Sequence, residues 1–219
     1  MKPIILSCIL LFGPFLTGCE SLLQSNDPLM YATPFRSILV LPPTDETIEL
    51  DASYTYLSTI SKPLGERGFY VFPVAIVDAY MKENGFSDPY EMHKIPLDKL
   101  LKVFGADTVL KVNIKSFGQK YLLLVSNTEV HAEAELIDLR TGEKLWQGTS
   151  YASEGSSNGG GGLAGMMVSA LVDQVVDSLS FRVRDIAVTA NWQMIHSSKG
   201  LPLGPYKALE AENHYTNVH

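Results

Sequence analysis

DTVLKVNIK (residues 107–115) and EVHAEAEL (residues 129–136) are the stretches whose reading decides the fold. In the first, Leu110, Val112 and Ile114 alternate with Lys111, Asn113 and Lys115. In the second, Val130, Ala132, Ala134 and Leu136 alternate with Glu129, His131, Glu133 and Glu135. Successive strand residues point to opposite faces, so a period of two predicts a half-buried sheet with one apolar and one wet face. Between the two runs, Gly118 is followed by a further strand, Tyr121 to Val125. Beyond them, Asp138 to Glu143 reads as a turn in which Gly142 supplies a positive φ, and Lys144 to Gly148 returns as the last strand of an antiparallel meander.

Upstream the period changes. Arg36 to Leu41 is a short apolar strand stopped by Pro42-Pro43. Leu57, Ile60 and Leu64 recur at helical spacing and predict a helix over 53–67, with Pro63 kinking it or opening a new turn. FYVFPVAIV (69–77) reads as a second strand, which Pro73 assigns to an edge or bulge, and MKENGFSDPYEMHK (81–94) as a loop. Pro96 opens a helix carrying Leu97, Leu100, Leu101 and Phe104 on one face, with Gly105 at its end.

Downstream, SEGSSNGGGG (153–162) is a connector too rich in glycine and serine to repay the entropy of ordering. It leads to a long helix from Leu163 to Val188 whose apolar arc, with Met166, Met167, Val168, Leu171, Val175 and Leu179, is wide. Such an arc needs cover from the sheet of the same domain or from a neighbouring subunit. The expected architecture is α+β: a mixed, largely antiparallel sheet of about five strands packed against helices, with a long C-terminal helix. The expected organisation is a leader over 1–18, a tether over 19–35, a single domain over 36–190 and an exposed or loosely docked tail over 191–219.

The first residues decide location. Lys2 precedes the apolar run Ile4 to Leu16, the layout of a secretory signal, and Gly13-Pro14 interrupts a run already too short to span a bilayer. Leu16-Thr17-Gly18-Cys19 resembles a bacterial lipobox. That resemblance implies cleavage before Cys19, a diacylglycerol thioether on its sulfur and acylation of the new amino group. One acyl chain binds a membrane only marginally, whereas two or three hold it firmly. Glu20, where retention in the inner membrane is associated with Asp, points to the outer membrane.

Composition narrows the function. With 46% hydrophobic and 19% charged residues the chain is globular. Its net charge of −7 and lack of a basic run exclude electrostatic binding to nucleic acid or anionic lipid. Gly160 to Gly165 spells G-x-G-x-x-G, yet it follows a polar linker instead of a buried strand, which excludes a dinucleotide cradle. The histidines, His93, His131, His196, His214 and His219, show no metal-binding spacing, and Cys8 leaves with the leader, so no metal or other cofactor is expected. Asp173 and Asp177, one helical turn apart, read as solubility charges, and no Gly-x-Ser-x-Gly elbow is present. The catalytic set is therefore expected to be empty, and Cys19, as the lipidation site, is the single functional residue the sequence nominates.

ILVLPPTDETIELDASYTYLSTISKPL (38–64), GFYVFPVAIVDAYMKENG (68–85), EMHKIPLDKLLKVFGAD (91–107), LIDLRTGEKLW (136–146), the Gly-rich approach to MVSALVDQVV (167–176) and the Gly204-Pro205-Tyr206 tail together resemble a family of Gram-negative lipoproteins typified by a neisserial genome-derived antigen. The resemblance spans nearly the whole domain. It implies a fold like the N-terminal domain of TolB and the company of CsgG-like lipoproteins in an envelope assembly or transport complex. It carries no catalytic residue. The resulting expectation is a binding or scaffolding lipoprotein on the periplasmic face of the outer membrane, partnered by other envelope lipoproteins or by further copies of itself. A small-ligand carrier with a pocket lined by Tyr54, Tyr56 and Phe86 is the alternative, and a periplasmic hydrolase using His93 and a carboxylate a weaker one. The surfaces expected to bind are the exposed side of the 163–188 helix and the loop Asn84 to Lys94.

Overall fold

In the computed structural model, residues 34–122, 125–153, 177–208 and 210 are described. The leader, Cys19, most of the tether, the Gly/Ser-rich connector beyond Ser153, the first part of the expected long helix and the last residues of the tail lie outside them. In chain order the elements are β1 (Ser37–Val40), β2 (Thr44–Asp45), α1 (Ala52–Glu66), β3 (Tyr70–Val71), α2 (Val74–Glu83), α3 (Pro89–His93), α4 (Leu97–Phe104), β4 (Thr108–Leu122), β5 (Val125–Asp138), β6 (Lys144–Ser153) and α5 (Asp177–His196).

The α+β expectation holds, with a mixed sheet of six strands where about five were expected. Its order is β3-β1-β4-β5-β6, and β2 continues the line of β1 along β4. The β4–β5–β6 meander is antiparallel, but β1 pairs parallel with both β3 and β4, and β2 parallel with β4. The meander is also longer than its alternation suggested. β4 runs through Gly118 without a break, because a bulge between Ile114 and Ser116 advances the phase by one residue. Phe117, not Ser116, therefore opposes Val130 and returns to the apolar face.

Two cores form, one on each side of the sheet. On the first, Tyr56, Leu57, Ile60 and Leu64 of α1 and Val183, Ala187, Ala190 and Met194 of α5 cover Val112, Ile114, Ala132, Ala134 and Leu136. The small side chains of Ala187 and Ala190 lie on the α5 stripe that packs beside α1, and Asn191 donates through Nδ2 to Thr59 Oγ1 at 2.8 Å across that contact. The stripe of α5 that carries Val183, Ala187, Ala190 and Met194 is thus covered by its own domain. On the second side, Val77, Met81, Met92 and Leu100 from α2, α3 and α4 pack on Leu39, Leu41, Val109 and Leu139. Each such side chain contributes on the order of 1.5–3 kcal/mol by leaving water.

Several local expectations change. FYVFPVAIV contributes only Tyr70 and Val71 to a strand; Pro73 then precedes the first turn of α2, and burial of Val77 and Met81 one helical turn apart selects helix over the strand preference of the β-branched run. Within the expected loop 81–94, Asp88 caps α3 by accepting from the Tyr90 N–H at 2.9 Å, with Pro89 at N1. α1 passes Pro63 unbroken. α4 ends as read, at Gly105 with φ 66°.

The C-terminal residues also differ from a loose tail. α5 continues to His196, and 201–208 is strapped against the end of α1. Arg67 Nε donates to Leu201 O at 2.5 Å, Gly204 N–H to Arg67 O at 2.9 Å and Tyr206 N–H to Gly68 O at 3.2 Å. A side chain on Gly204 would run into Gly68 O, so this crossing requires glycine. Before β1, Phe35 stacks on Phe69 with centroids 5.1 Å apart, so the domain begins just inside the expected tether.

Candidate functional site

His93 stands at the end of α3, where its Nε2–H donates to Pro42 O at 2.9 Å. Burial holds its pKa down at about 4, and the charge of nearby Lys111 acts the same way. Lys111 donates through Nζ to His93 O at 2.6 Å, placing a cation at a helix C-terminus. Burial lowers the Lys111 pKa against the opposing pull of Glu135. His93 thus pins α3 to the β1–β2 connection, and its imidazole bonds a backbone carbonyl where the hydrolase reading needed a carboxylate.

The aromatics of the carrier reading are also apart in environment. Tyr56 is fully buried in the core under α1, Tyr54 is exposed with Lys82 Nζ 4.6 Å above its ring, and Phe86 is exposed in the turn after α2. His131 sits on the polar face as expected and meets Tyr151 edge to face at 6.0 Å.

A cleft of about 580 Å³ follows β6, the last strand of the sheet among the described residues, between Gln147, Thr149 and Tyr151 on one wall and Gln193, Ser197 and Lys199 on the other. Its carboxylates are already engaged: Glu135 with Lys144 at 3.0 Å and Glu133 with Lys115 at 3.6 Å. Among the described residues no group of three or more His, Cys, Asp or Glu is arranged to hold a metal ion. The nucleotide-like glycine run and Asp173 lie outside the described residues, as do Met166 to Val175 of the helix face nominated for binding.

More distinctive is what the surface exposes. Tyr70 packs against Phe72, Phe72 against Phe104 and Phe104 against Tyr80, with centroid separations of 5.2, 6.2 and 5.4 Å. Around these rings Ile76 is 66% exposed and Tyr70, Tyr80 and Val103 are also open to solvent. Ile76 and Tyr80 share one face of α2, so the group is one surface beside the β3 edge. The nominated loop Asn84 to Lys94 begins directly after α2. At the opposite end of the sheet, Ile48 and Leu50 in the β2–α1 loop are 94% and 95% exposed. Sequence reading passes over both features, because exposure of an apolar side chain is a tertiary property; the TIEL alternation at 47–50 is the one local signal of the second.

A family described as "Putative lipoprotein GNA1162-like" matches residues 29–206. A Neisseria meningitidis serogroup B protein named "Putative lipoprotein NMB1124/NMB1162" is 36% identical over 212 residues, covering 94% of this chain and 96% of the relative. The crystal structure of lipoprotein GNA1162 from Neisseria meningitidis superposes with a TM-score of 0.52 at 40% identity, over 65% of this chain and 99% of that one. A PelC dodecamer from Paraburkholderia phytofirmans gives a TM-score of 0.46 at 15% identity, over 74% of this chain and 87% of that one.

Proposed function

The chain belongs to the GNA1162-like lipoprotein family, and from that membership we propose that it is a lipid-anchored, non-catalytic binding component of an envelope assembly or transport complex. Cys19, in Leu16-Thr17-Gly18-Cys19, is the proposed attachment point, and Glu20 favours the outer membrane with the domain facing the periplasm. The observation that carries the binding role is the aromatic surface at the β3 edge. Tyrosine is over-represented at protein interfaces, where a large rigid side chain buries area at low entropic cost. The occupant we assign to it is another envelope lipoprotein, and the family resemblance nominates a CsgG-like one. Confinement to a membrane plane raises the effective concentration of such partners, so a modest patch suffices.

Crosslinking and capture from intact cells tests this. The wild-type protein is expected to recover a reproducible envelope partner, which Ile76→Ser with Tyr80→Ser loses although the protein stays folded and membrane-bound. Cys19→Ala is expected to lose it through release from the membrane. Absence of any reproducible partner of the wild type removes the binding role.

A further inference from the structure

We infer that the end of the sheet carrying Ile48 and Leu50 is a second membrane contact, which rests these two side chains in the surface of an electrically neutral bilayer. This inference rests on the lipid-anchor reading and adds an orientation to it.

The β2–α1 loop is held, not slack. Glu46 N–H donates to Ile114 O at 2.9 Å, Thr47 N–H to Asp45 Oδ1 at 2.8 Å and Glu49 N–H to Thr47 Oγ1 at 3.2 Å. The Glu46 carboxylate accepts from Lys115 Nζ at 2.6 Å and from Asn113 Nδ2 at 2.7 Å. A backbone tied at this many points presents Ile48 and Leu50 outward by construction. Glu49 lies beside Gly118 of β4, so the loop shares its end of the sheet with the last rung of the β4–β5 hairpin, where Leu122 pairs with Val125.

The tether permits this end to reach the lipid. Arg36, where the chain enters β1, is at the other end of the β1–β2 line, about 25 Å from Asp45 by the register along β4 at roughly 3.3 Å per residue. From Cys19 to Arg36 the chain can extend to about 55–60 Å. The local charge then selects the lipid. Glu46, Glu49 and Asp51 flank the two apolar side chains, and Lys115 is already paired with Glu46. Anionic headgroups are repelled by such a rim, whereas zwitterionic ones are not. Immersing each side chain strengthens the contact by about tenfold.

The test uses the full lipidated protein in phosphatidylcholine vesicles, labelled with an environment-sensitive fluorophore through Ile48→Cys, and in parallel through Glu83→Cys on the exposed side of α2. At 48 the expected result is blue-shifted emission and quenching by acyl-chain-labelled lipid. Both are expected to weaken about tenfold with Leu50→Asp and again when phosphatidylglycerol replaces phosphatidylcholine. At 83 neither is expected. A label at 48 that behaves like the label at 83, on protein that co-sediments with the vesicles, overturns the inference and leaves the anchor intact. Shielding at 48 that arises only on adding an envelope extract overturns it in favour of a protein contact. Failure to co-sediment overturns the anchor reading, and this inference with it.

Discussion

Acidification from pH 7.5 to 5.5 is expected to destabilise the domain through His93. In the unfolded chain its imidazole has an ordinary pKa near 6.5, and in the fold burial, aided by Lys111, holds it at about 4. The unfolded state therefore takes up the proton first. The stabilisation is complete above pH 6.5 and is lost as the pH falls from there toward 4. With those two values the loss is on the order of 1–2 kcal/mol at pH 5.5 and 2–3 kcal/mol at pH 4.5. His93→Gln keeps a donor for Pro42 O and removes the titration. Urea unfolding followed by circular dichroism at pH 7.5, 6.5 and 5.5 compares the two proteins. Asp107 does not interfere in this window. Burial alone would raise its pKa, but hydrogen bonds from Arg36 N–H, Arg140 and Ser37 outweigh that and lower it, so its contribution is lost only below about pH 4. The wild type is expected to lose on the order of 1 kcal/mol more than His93→Gln between pH 7.5 and 5.5. Equal losses would refute the reasoning, because they would mean that His93 is hydrated in the fold.

Three other outcomes are expected. Gly204→Ala places a methyl group on the Gly68 carbonyl and should cost about 2 kcal/mol or more, with hydrogen exchange at the Tyr206 amide accelerating before that of β4. A double-mutant cycle of Asn191→Ala with Thr59→Val should give a coupling of about 1 kcal/mol, since the buried Nδ2–H to Oγ1 bond joins α5 to α1. Ile76→Ser and Tyr80→Ser should each change the urea midpoint by no more than about 0.5 kcal/mol in stability while abolishing partner capture, as exposed surface positions do.

How much could be read from the chain follows from where the information lies. DTVLKVNIK and EVHAEAEL are legible as strands because each residue records its own face, and IPLDKLLKVFG as a helix because its proline start, apolar stripe and glycine stop are all local. VAIVDAYMKE is not legible in that way: Val and Ile favour extended backbone, and the helix is decided by Val77 and Met81 meeting Leu39 and Leu41 from β1 and the residue after it. The parallel pairing of β1 with β4 joins segments about 70 residues apart, which no short window reports. The same holds for the surfaces. Nothing local shows that Phe72 and Phe104 bring Tyr70 and Tyr80 into one patch, or that Ile48 and Leu50 project from a loop instead of opening α1. Cys19 is the reverse case, a proposed site that rests on four consecutive residues alone.

Lipid attachment at Cys19 is the proposed step on which partner concentration and membrane orientation both depend, and intact-mass and N-terminal peptide mass spectrometry of protein purified from membranes tests it most directly. The expected spectrum has no residues 1–18, begins at Cys19 and carries a diacylglyceryl thioether with an acylated amino group. A free thiol at Cys19, or a leader still attached, would contradict it.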